Sequence, residues 1–80
     1  MEYDQEKVDE MVLALLYLTT SSDQQGAKAW KGLDYGTLDR LQKKSFITNL
    51  KMKDVSVYLT KEGEKLSKEL FFKHFGARDT

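Results

Sequence analysis

The sequence predicts an α+β fold, mainly helical, and three observations carry that prediction. Apolar residues recur at helical spacing in segments led by an oxygen-bearing cap residue. Two short stretches near the middle switch to a period near two, with polar residues between them. The chain has only 80 residues, 40% hydrophobic and 32% charged, so one small core is all it can build. The expected unit is one domain over residues 1–80 with its ordered part at about 4–75.

The first helix runs from Asp4 to Thr19. Val8, Met11, Val12, Leu15 and Leu16 form its inward stripe, Asp4 caps it, and acids fill its first turn. Leu13, Tyr17 and Leu18 widen the apolar surface beyond one stripe, which places the helix centrally or against another subunit. Ser22 and Gln25 have the spacing of a capping box, so a short second helix is expected through Ala27, Ala29 and Trp30, ending at Gly32. Trp30 is expected to plug the core.

Asp34 caps a third helix over 34–44, with Leu38 and Leu41 inward and cations in its later turns. Phe46 to Leu50 and Val55 to Leu59 then read as a hairpin joined by a polar loop, Lys51 to Asp54. Thr60 caps the last helix, whose apolar face is Leu66, Leu70 and Phe71, and the chain frays from Gly76. Gly63 in that helix costs about 1 kcal/mol relative to Ala, so another backbone is expected to pass close to it.

The formal net charge is zero and the isoelectric point is 6.6, which argues against indiscriminate coating of nucleic acid. The distribution is uneven. Residues 1–20 carry Glu2, Asp4, Glu6, Asp9 and Glu10 against Lys7, whereas residues 40–53 carry Arg40, Lys43, Lys44, Lys51 and Lys53 with no acid. A basic segment in a neutral chain is a candidate phosphate footprint; it also fits a solvated helix end, with Asp39 and Lys43 paired along the surface.

Gly32-Leu33-Asp34 followed by Leu38 and Leu41 has the spacing of a helix-turn-helix, and Val57-x-Leu59-Thr60-x-Glu62-Gly63 runs from the second strand of the hairpin into the last helix. With Leu38-x-x-Leu41-x-x-x-Ser45-Phe46-Ile47, these segments resemble the signatures of bacterial winged helix-turn-helix regulators over about residues 5–75. The resemblance implies three helices, a two-stranded hairpin wing and a C-terminal helix. More narrowly, Tyr3-Asp4 and Ala29-Trp30-Lys31-Gly32 look like those of a small family of uncharacterised bacterial proteins with this layout. Two positions depart from the winged-helix pattern. Ser45 stands where glycine is favoured and must either take a left-handed conformation or end the helix differently, and Lys28 stands where alanine is usual.

The resemblance implies a small DNA-binding transcriptional regulator. Thr37 and Arg40 on the outer face of the helix 34–44 would meet the major groove, Arg40 reading a guanine edge, while Lys43, Lys44, Lys51 and Lys53 would contact phosphates. The competing expectation is a protein-interaction module on the same scaffold without DNA binding. In that reading Leu13, Tyr17, Phe72 and Phe75 pair across a two-fold axis in a homodimer. Catalysis is not expected: His74 is the sole histidine, no serine or threonine has an evident base partner, and no phosphate or dinucleotide motif is present. No cofactor, metal or small-molecule ligand is implied. The chain has no cysteine and its longest apolar run, Met11 to Leu18, is far short of the ~20 residues a bilayer crossing needs. A cytoplasmic protein without a membrane partner is the expectation.

Overall fold

A computed structural model describes residues 2–24, 26–32, 34–48, 50 and 56–76. Its elements are α1 (Gln5–Thr19), β1 (Ser21–Asp23), β2 (Gly26–Trp30), α2 (Tyr35–Lys43), β3 (Ile47–Thr48), β4 (Ser56–Leu59) and α3 (Lys61–Phe75). The four strands form one antiparallel sheet in the order β1-β2-β4-β3. Ala27 and Ala29 stand beside Leu59 and Val57, and these four side chains are buried on the face that meets the helices. The fold is α+β and mainly helical.

Each helix starts where its cap residue predicts. The Asp4 carboxylate accepts from the backbone N–H groups of Glu6 and Lys7, Asp34 from Thr37, and the Thr60 hydroxyl from Gly63. Leu38 and Leu41 are buried, as is Leu70, and Leu66 and Phe71 pack against the core.

The segment expected as a second helix is instead the hairpin β1–β2. Alanine spacing was compatible with either structure, and what decides it is not local: β2 pairs with β4 over Ala27–Trp30, a partner some 30 positions away. Gly26, at φ 133°, closes the turn in a conformation only glycine takes freely. The described residues therefore hold three helices and four strands where four helices and a two-stranded wing were expected, and α2 is preceded by a strand. The loop expected at 51–54 lies outside the described residues.

The inward face of α1 is also rotated. Leu16 is buried, but so are Asp9, Leu13 and Ala14, while Leu15 is turned outward. Ala14 is fully buried, and Asp9 is drawn inward by Arg40 and Lys44.

The junction of α2 with α3 follows the sequence closely. Ser45 has φ 66°, the left-handed conformation, and closes α2 with two hydrogen bonds: Ser45 N–H to the Gln42 carbonyl and Phe46 N–H to that of Leu41. The Thr60 hydroxyl donates to the Ser45 carbonyl at 2.7 Å and its N–H to that of Phe46 at 3.0 Å. A Cβ on Gly63 would overlap the Phe46 carbonyl oxygen. This is the close backbone that Gly63 foreshadowed.

Candidate functional site

Two basic side chains, Arg40 of α2 and Lys44 at its C-terminal cap, face α1. Thr37, Arg40 and Lys44 recur at three and four residues, so they form one face of the helix, and that face meets Asp9. Arg40 donates from Nε to both carboxylate oxygens, at 2.9 and 3.1 Å, and its Nη2 lies 2.8 Å from Oδ1. Lys44 Nζ is 2.9 Å from Asp9 Oδ2 and 3.4 Å from Glu6 Oε2. Thr37 is fully buried; its N–H and hydroxyl donate to Asp34, and its oxygen accepts from Arg40 Nη2 at 3.1 Å.

The Asp9 side chain is only 3% exposed. Burial alone pushes its carboxyl up, but the hydrogen bonds from Arg40 and Lys44, with their charges, outweigh burial and hold it below the usual carboxylate range. The same hydrogen bonds to Asp9 raise Arg40 and Lys44 above their ordinary values, and the Thr37 hydroxyl and N–H lower Asp34. This is a clamp between α1 and α2.

The residues expected at a DNA groove are thus distributed differently from the outward face predicted for them. Thr37 is inside, because the inward arc of α2 extends past Leu38 and Leu41 to the side facing α1. Arg40 and Lys44 are partly exposed but engaged by acids. Lys43 projects outward, 75% exposed, with Nζ 3.1 Å from Asp39 Oδ2. Lys51 and Lys53 lie outside the described residues. The missed participants are Asp9 and Glu6, and the signal for them was present: acids three apart on one helix match cations four apart on another.

Of the four residues expected at a dimer contact, Leu13 is in the core, 1% exposed, and offers nothing to a second copy. It follows Asp9 by four on the rotated inner face of α1. The other three stay together in a ladder of rings completed by Phe71, a residue expected only in the core. Tyr17 lies 5.2 Å from Phe71 and 5.7 Å from Phe72, centroid to centroid, and Phe71 lies 5.5 Å from both Phe72 and Phe75. Such spacings and tilts are favourable for aromatic pairs. Phe72 is 54% exposed and Phe75 47%. Trp30, expected in the core, is also half-exposed, because it ends β2 and its ring lies across Gly32.

His74, near the end of α3, packs beside Phe75. Its Nε2 is 3.7 Å from Glu10 Oε1 and has no hydrogen-bond partner among the described residues. Among the described residues no three His, Asp or Glu side chains are placed to hold a metal ion, and no helix is long and apolar enough to cross a membrane.

The model of a family described as a domain of unknown function, DUF6429, matches residues 4–77. The chain is also similar to the uncharacterised protein y4hR of the bacterium Sinorhizobium fredii, with 44% identity over 75 residues that cover 94% of this chain and 97% of that protein. No solved structure matches.

Proposed function

The chain belongs to the DUF6429 family, and from its surface we propose that it is a small protein-interaction module, binding rather than catalytic, that pairs with a second copy of itself. The observation that carries this reading is the aromatic ladder on α1 and α3, which ends in two half-exposed phenylalanines. Lys61, Lys65, Lys68, Phe72 and Phe75 share the exposed face of α3 at spacings of four and three. Parallel pairing of two such faces would stack lysine on lysine, whereas antiparallel pairing joins the phenylalanine ends and keeps the lysines apart.

Two half-exposed phenylalanines per protomer offer about 400 Å² of apolar surface across the two-fold. Its burial contributes about 10 kcal/mol, against at least about 4 kcal/mol for lost translational and rotational freedom. At that lowest cost the dissociation constant is on the order of tens of micromolar. Sedimentation equilibrium tests it: a reversible monomer–dimer equilibrium in that range, abolished by Phe72→Lys, supports the proposal, and a strict monomer at 1 mM, about 25-fold higher, refutes it.

A second reading, a winged-helix DNA-binding transcriptional regulator, draws on Lys43, which projects from the end of α2 just before the β3–β4 connection that carries Lys51 and Lys53. Three such phosphate contacts imply a log–log salt slope near −2.7. Arg40 and Lys44 would have to leave Asp9 to add to it. Titration of random duplex DNA against salt separates the readings.

A further inference from the structure

A groove of about 290 Å³ opens between α1, the end of α2 and α3, and its lining includes none of the rings of the aromatic ladder. Leu13, Leu41, Phe46, Leu66 and Leu70 supply its apolar lining, and Glu6, Glu10, Asp9 and Lys44 supply its polar side. The volume lies at the lower limit of small-ligand pockets, which suits a body of about one ring.

The charges around it do not cancel. Asp9 is engaged by Arg40 and Lys44, and Lys44 also reaches Glu6. Glu10 is engaged by no lysine or arginine among the described residues: its carboxylate is half-exposed, and its one close partner is the His74 imidazole, whose Nε2 lies 3.7 Å from Oε1, beyond hydrogen-bond reach. The groove therefore combines an apolar lining with one half-exposed carboxylate that neither Arg40 nor Lys44 engages. A neutral apolar molecule would leave that carboxylate as it is. An anion would meet it unfavourably, since the lysine alongside already holds Asp9. A compact cation would satisfy both features.

We infer that this groove is a binding site for a small organic monocation, an ammonium or guanidinium group carried on an apolar body, with Glu10 as its counter-ion. The site does not depend on pairing of the aromatic faces.

Benzylammonium, benzyl alcohol and benzoate differ in charge and little in shape, so they serve as probes of the whole chain by ¹H–¹⁵N chemical-shift titration. Ligands of this size bind with a dissociation constant on the order of millimolar. Benzylammonium is expected to bind about two- to fivefold more tightly than benzyl alcohol, the range that a partly solvated ion pair provides, and benzoate most weakly. Shifts should centre on residues 6–13 and 66–70. Glu10→Gln is expected to remove the preference for the cation while leaving benzyl alcohol unchanged. Leu66→Trp, which fills the groove, should abolish binding of all three at unchanged helicity. Loss of fold in that variant would leave Glu10→Gln to decide. Benzoate binding as well as benzylammonium, an unaltered preference in Glu10→Gln, or no binding by any probe at ~10 mM, an order of magnitude above the expected constant, would overturn the inference.

Discussion

Replacing Asp9 by Asn tests the clamp between α1 and α2. The amide keeps the volume and one acceptor oxygen but presents an NH₂ to the donors of Arg40 and Lys44, which sit at 2.8 to 3.1 Å from the native carboxylate. Removing one member of a fully buried ion pair costs about 3–5 kcal/mol. Here the cations are 29% and 35% exposed, so water screens part of the loss and about 2–3 kcal/mol is expected. For a domain of this size that lowers Tm by roughly 10–20 °C, readable by circular dichroism. The sign with pH is fixed by the lowered Asp9 carboxyl. Its stabilisation is fully present above the ordinary carboxylate value of ~4 and is lost as pH falls through the lower folded value. The gap between wild type and Asp9→Asn should therefore be widest near neutrality and close as the pH falls through the lowered value of the folded Asp9 carboxyl. A gap under about 0.5 kcal/mol at pH 7, the level of an ordinary surface change, or one that does not shrink in acid, would show that Asp9 does not hold α1 to α2.

Three further outcomes are expected. Gly63→Ala should destabilise by more than about 3 kcal/mol in chemical denaturation, because the new methyl meets the Phe46 backbone, which cannot rotate away. Ser45→Gly should stabilise by about 1 kcal/mol in the same assay, since glycine relieves the left-handed φ of 66°. Wild-type protein should show no duplex-DNA binding at ~50 mM salt, a condition under which phosphate contacts are strong; a slope of −2.7 or steeper that Lys43→Ala flattens by about one would favour the regulator reading instead.

Much of the fold was legible because local rules decided it. Asp4, Asp34 and Thr60 each cap the helix they were expected to cap, and Ser45 and Gly63 sit at the strained or crowded positions their identities suggested. The hairpin at 21–30 was not legible, since short alanine-rich segments fit either period and the choice lies with β4, far along the chain. The site was legible in part. Uneven charge was visible, but reading cations at 40–44 as outward presumed that no acid met them; Asp9 and Glu6 do, and only packing of α1 against α2 reveals it. The exposed phenylalanines at 72 and 75 were readable from their offset from Leu66 and Leu70, whereas Leu13 was not, because α1 is rotated to bring Asp9 inward.

Whether the ring-bearing face of α1 and α3 receives a second copy is decided by ¹H–¹⁵N shifts recorded on dilution from ~1 mM to ~10 µM, a span that brackets the expected constant. Changes confined to Tyr17 and residues 68–76, saturating with one constant, are the predicted result. Spectra that do not change with concentration, or changes centred on α2 around Lys43, would contradict it.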